Sequence, residues 1–146
     1  MFIGHYAPSF IGAASPKIKL WQAFIAVQFI DFIWAILIIT GIERGRIEPG
    51  FTASNPIDLY FMPYSHSLLF CVFWAVVGAI GFKQLTRQSG WMGAMIFGAL
   101  VMSHWLGDFI VHVKDLPLWP GSGKVGFGVW HSLMWGLVTE LGLLAI

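Results

Sequence analysis

Charge is what this chain has least of: charged side chains make up 10% of its 146 residues, eight basic against seven acidic, for a net charge of +1. Soluble domains carry about 25%, so an ordinary soluble fold is excluded. A nucleic-acid surface is excluded with it, because that needs a basic footprint. Cysteine is nearly absent too. Cys71 stands alone, which rules out an intrachain disulfide and leaves a thiolate zinc knuckle without ligands. A basic leader is also missing, since Lys17 and Lys19 follow the first apolar run instead of preceding it, and the N-terminal segment is expected to be retained.

What is present is apolar. Hydrophobic residues make up 58% of the chain, and Leu20–Ile42, Trp91–Val113 and Val125–Ile146 each reach the roughly 20 residues that cross a bilayer, with Tyr64–Phe82 slightly short. The expected fold is all-α: one polytopic membrane domain with four transmembrane helices, over about 16–42, 64–82, 91–113 and 125–146. A short N-terminal helix before them, within Phe2–Ala14, is expected to be interfacial or re-entrant. Ser15-Pro16 reads as the start of the first span, serine capping and proline at the first helical position. Asn55-Pro56 reads as the cap of a short surface helix in the connection Glu43–Pro63.

The polar connection Lys83–Gly90 makes spans two and three an antiparallel hairpin, and Gly90, Gly93 and Gly98 allow close helix approach. Trp119 suits the aromatic belt. Pro120-Gly121-Ser122-Gly123-Lys124 lacks the glycine and hydroxyl of a phosphate loop, so it reads as a turn. Lys17, Lys19, Lys83 and Arg87 lie at one end of the spans, and Arg44, Arg46, Lys114 and Lys124 at the other. The basic count is tied, but the first end lacks acids, which points to both termini in the cytoplasm.

Few polar groups lie inside the spans, and each is costly there: an aspartate near the centre of a span costs roughly 2.5–3.5 kcal/mol, so it is expected to face a partner, a cavity or a metal. His104, Asp108 and His112 recur four apart, and each such step turns a helix by only about 40°, so the three share a face. His66 opens span two and His131 opens span four. Asp31 sits well inside span one without a basic neighbour, and Glu140 lies in span four. Imidazole and carboxylate suit zinc and related divalent metals, and a catalytic site wants three such ligands plus an open position. His104 and Asp108 are the deepest pair. His112 and His131, near helix ends, read as interfacial hydrogen-bonders ahead of ligands, and as weak substrate contacts.

In motif order the chain resembles a family of bacterial inner-membrane proteins known as LexA-regulated, membrane-bound metal-dependent hydrolases. The resemblance rests on Gly4-His5, on Asp31 closing Phe29-Ile30-Asp31, on Ser65-His66-Ser67-Leu68, on Ser103-His104 with Asp108, and on Leu118-Trp119-Pro120. The chain departs from the family where a second aspartate and a histidine are replaced in Asp31-Phe32-Ile33-Trp34, and where Phe61-Met62-Pro63-Tyr64 stands for a His-Arg-Gly element. What the resemblance implies is a mononuclear site drawn from His5, Asp31, His66, His104 and Asp108.

The expectation is therefore one divalent metal, zinc, held by His66, His104 and Asp108, with His5 added by the resemblance and Asp31 as further ligand or general base. Activated water would attack a lipid or lipid-linked ester or phosphoester. Arg44 and Arg46 are candidate headgroup contacts, with solvated interfacial anchoring the preferred reading of the two. The competing expectation is a non-enzymatic membrane subunit or proton-relay protein, in a homo-oligomer or larger complex, whose Asp31, His104, Asp108 and Glu140 pair among themselves.

Overall fold

The computed structural model describes residues 3–86 and 89–145; Arg87, counted among the basic residues above, and Ile146, the expected end of span four, lie outside the described residues. A 3-10 turn, Ile3–Tyr6, leads into α1 (Ala7–Ala13), followed by α2 (Leu20–Val27) and α3 (Phe29–Ile39). Strands β1 (Arg44–Ile47) and β2 (Ile57–Phe61) form an antiparallel hairpin. The long helices α4 (Leu68–Leu85) and α5 (Gly90–Val111) come next. A minimal hairpin then pairs β3 (Leu116–Pro117) with β4 (Lys124–Val125), and a second 3-10 turn, Val129–His131, precedes α6 (Leu133–Leu144). The chain is thus mostly helical, with two small sheets where none was expected.

Among the described residues two helices, α4 and α5, are long and apolar enough to cross a membrane, and α2 with α3 makes a third crossing if taken as one span bent by 46° at Gln28. The expected fourth span is not formed at full length. Its helix, α6, has 12 residues, about 18 Å of rise against a hydrocarbon core of about 30 Å. Gly126 and Gly128 explain the shortfall. Both have positive φ, and the flanking backbone is stitched to the end of α5, with Phe127 N–H donating to Phe109 O (2.9 Å) and Gly128 N–H to His112 O (2.7 Å).

Two local starts also differ. Ser15 and Pro16 lie in the turn after α1, and α2 begins only at Leu20, where Gln22 Oε1 accepts from Lys19 N–H (2.9 Å). Asn55 Oδ1 accepts from Ile57 N–H (3.0 Å) and so opens a strand, not a helix.

The α4–α5 hairpin is antiparallel and close. A Cβ at Gly98 would meet the Ala75 carbonyl at 3.1 Å and Ala79 Cβ at 3.3 Å, while Phe82 stacks on Phe97 with centroids 4.9 Å apart. Ala23, Ala26, Val27 and Ile30 from the broken pair complete the core against Leu100 and Val101. Outward, Phe32, Ile36, Ile39, Val72, Phe73 and Val76 are exposed. A continuous apolar exterior of this kind suits lipid, not water.

Candidate metal centre

Four elements deliver the polar side chains that converge, and a fifth, α6, tethers one of them. On α5, the four-residue step places His104 and Asp108 on its inner face, and both are buried. Asp31 comes from the first turn of α3, immediately after the break at Gln28. That break has a use: the Val27 carbonyl accepts from His104 Nδ1 at 2.7 Å. His66 sits in the turn before α4, whose first residue is fixed by Ser67 Oγ accepting from Phe70 N–H (3.3 Å). Trp105 Nε1–H donates to the His66 carbonyl (3.0 Å). His5 is brought in by the first 3-10 turn, which is tethered by Gly4 N–H donating to Glu140 Oε2 on α6 (2.6 Å).

These groups converge. His104 Nε2 lies 3.3 Å from Asp31 Oδ1 and 3.2 Å from Asp108 Oδ2. His66 Nε2 lies 3.4 Å from Asp31 Oδ1 and 3.5 Å from Asp108 Oδ2, and His5 Nε2 lies 3.2 Å from Asp108 Oδ1. One ligand atom each from His5, Asp31 and His104, and one each from His66, His104 and Asp108, lie mutually within 4.8 Å.

The outer hydrogen bonds assign the ring tautomers. A carbonyl only accepts, so His104 Nδ1 carries a proton and Nε2 is the nitrogen turned to the centre. His66 is set the same way. Its Nδ1–H donates to Ser65 Oγ (2.8 Å), whose hydroxyl donates to Glu43 Oε2. Glu43, fully buried, also accepts from Tyr64 and Ser65 N–H (2.7 and 2.9 Å). Such outer partners are the usual support of metal-binding imidazoles.

His104 Nε2 and both nitrogens of His5 are buried without a hydrogen bond, although carboxylate oxygens are within 3.3 Å of His104 Nε2. Imidazole lone pairs and carboxylates this close repel one another unless a cation or a shared proton sits among them. The donor set of three imidazoles and two carboxylates fits a divalent ion of the zinc type. Burial pushes the His5 imidazole down to about 4, which keeps the ring neutral and able to ligate.

The remaining sequence candidates scatter. His112, the C-cap of α5, lies 3.4 Å from Asp108 Oδ1 through Nε2 and 3.0 Å from Asp115 through Nδ1. It is closer to the cluster than its place at the helix end suggested. Burial pulls its pKa down, but Asp108 and Asp115 outweigh this and raise it. His131 is exposed in the second 3-10 turn. Arg46 is held by Asp58 and Glu48 (2.9 and 2.8 Å), and Arg44 lies in a separate depression with Ile42, Tyr60 and Phe61. Neither arginine reaches the cluster. Sequence reasoning missed Glu43, Asp115 and Trp34. The first two lie in connections, where charge is ordinary, and Trp34 looked like one more apolar span residue.

A cavity of about 210 Å³ opens onto the cluster, lined by Asp31, His66, Asp108 and His112 with Trp34 and Trp130 among its walls. Asp31 is the accessible member, its side chain 39% exposed, whereas the side chains of His104 and Asp108 are at most 2% exposed. The buried donors could thus hold an ion while one carboxylate faces an incoming molecule.

No curated protein and no solved structure matches the chain. A family model does match, over residues 49–146, a stretch that includes His66, His104, Asp108 and His112 and leaves His5 and Asp31 outside. With apolar helices able to cross a bilayer and a match over most of its length, the chain belongs to the YdjM inner membrane protein family.

Proposed function

We propose that this inner-membrane protein is a metal-dependent hydrolase that holds one divalent metal, zinc, through His66, His104 and Asp108, with His5 as a further ligand. The observation that carries the reading is His104 Nε2. Its ring is fixed from behind by Val27, and it faces two carboxylates without making a hydrogen bond to either. When bound, such an ion supplies a Lewis acid and lowers the pKa of water towards about 7. Asp31, at the cavity, is the carboxylate placed to take up a proton there. Ser65 with Glu43, and the Val27 carbonyl, keep the imidazoles oriented. The apolar surroundings favour a lipid or lipid-linked ester or phosphoester as substrate.

A second reading has its own observation. Glu43, Ser65, His66, Asp108, His112 and Asp115 form a continuous polar path, along which protons could move without a metal in a non-enzymatic membrane subunit.

Elemental analysis of the purified protein separates the two. The hydrolase reading expects about one zinc-type ion per chain and background levels in His104→Ala and Asp108→Ala. Metal-free wild-type protein, or variants with undiminished metal, would end it. In metal-loaded protein, Asp31→Asn is then expected to slow hydrolysis of a short-chain nitrophenyl ester by about 10²–10⁴-fold.

A further inference from the structure

The end of the bundle away from the metal centre carries two clefts of opposite chemistry. One, of about 580 Å³, lies where the start of α2 meets the C-terminal end of α4, and Lys17, Lys19, Gln22, Gln84, Thr86 and Ser89 line it. The other, of about 380 Å³, runs between α2 and α4 over α5 and is apolar, with Trp21, Ile25, Phe29, Val77, Phe82 and Phe97 in its walls. Gln22, Leu85 and Thr86 belong to both, so the polar cleft opens into the apolar one.

Charge and length identify what fits. Among the described residues, no acidic side chain lines either cleft. Asp31, Asp108, Asp115 and Glu43 are committed around the metal centre, Glu48 and Asp58 to Arg46, and Glu140 to Gly4. Lys17 and Lys19, both exposed, therefore have no carboxylate of the described residues beside them in the cleft. From Leu85 to Val77 the groove follows α4 for about 12 Å, close to half of a hydrocarbon core of about 30 Å, which is the depth of one leaflet. The groove is also open: a Cβ on Gly81 would meet nothing within 4 Å.

We propose that the joined clefts bind one phospholipid with an anionic headgroup, its phosphate at Lys17 and Lys19 and one acyl chain in the groove between α2 and α4. The site is separate from the metal centre and does not depend on its function, since Phe97 and His104 are about 10 Å apart along α5.

The test is native mass spectrometry of the full chain from mixed micelles holding phosphatidylglycerol and phosphatidylcholine in equal amounts. Wild type is expected to keep one phosphatidylglycerol, preferred roughly tenfold or more over phosphatidylcholine. Lys17→Ala with Lys19→Ala should abolish the preference. Gly81→Leu, which fills open space, should abolish retention of both lipids while helicity and thermal midpoint stay at wild-type values. Equal retention of the two lipids by wild type would overturn the proposal, as would full retention by Gly81→Leu. Displacement of phosphatidylglycerol by millimolar inorganic phosphate alone would reduce the site to an anion site and overturn the lipid assignment. A wild-type dimer that Gly81→Leu converts to monomer would do the same, by giving the groove to a second copy.

Discussion

His66 presents Nε2 to the centre because its other nitrogen is occupied. Ser65 Oγ accepts from Nδ1 and hands its own hydrogen to the buried Glu43. Removing the hydroxyl leaves a ring nitrogen and a carboxylate oxygen without their shared partner. Ser65→Ala is therefore expected to weaken metal binding by about 10–100-fold, read by competition with a chromophoric chelator. Unchanged affinity would take Ser65 and Glu43 out of the account. At this scale the sequence was legible where polar groups are expensive: His104, Asp108 and Asp31 stand out because an apolar run does not carry them without cause. Glu43 and Asp115 were illegible, since a charged residue in a connection is ordinary until burial is known. His112 was ranked low for lying at a helix end, yet that end is where Asp108 and Asp115 meet it.

Among the elements, α6 contributes at a distance. It supplies no candidate ligand, but Glu140 accepts from Gly4 N–H, one residue from His5, and so clamps the turn that delivers that imidazole. Glu140→Ala is expected to lower metal affinity about as much as His5→Ala, by roughly 10–100-fold, and the double variant to be no worse than either. Glu140→Gln, which retains an acceptor oxygen, should restore binding. Additive losses in the titration would mean that Glu140 acts by some other route. The long helices α4 and α5 were readable from uninterrupted apolar length. The bend at Gln28 and the shortness of α6 were not, because both follow from partners outside the segment: His104 bonding Val27, and the end of α5 bonding Phe127 and Gly128.

For the whole molecule, α4 separates two chemically different ends. The candidate metal centre and the β1–β2 hairpin lie at one, and Lys17, Lys19 and Lys83 at the other, where none of the acids placed above lies. Its 18 residues rise about 27 Å, enough for most of a bilayer. The acid-free basic end is expected to face the cytoplasm. In a Cys71→Ser background, Arg44→Cys should then react with a membrane-impermeant maleimide in intact cells, and Gln84→Cys only after permeabilisation. The reverse pattern would invert the orientation, and labelling of both from outside would mean that α4 does not cross.

The sequence by itself determined that the chain lives in a membrane, that the stretches which form α4 and α5, two of the four expected spans, are apolar over a span's length, and which polar residues inside apolar runs carry a cost that something must offset. Those properties are set by composition and by periodicity along one helix, both of which are local. Only the tertiary structure decided that His5, Asp31, His66, His104 and Asp108 fall into two triads that overlap at His104, that Glu43 and Val27 orient the rings, and that the last apolar stretch stops short of a span. Those outcomes depend on contacts between residues far apart in the chain, such as Gly4 with Glu140 or His104 with Val27, and spacing along a single segment carries no record of them.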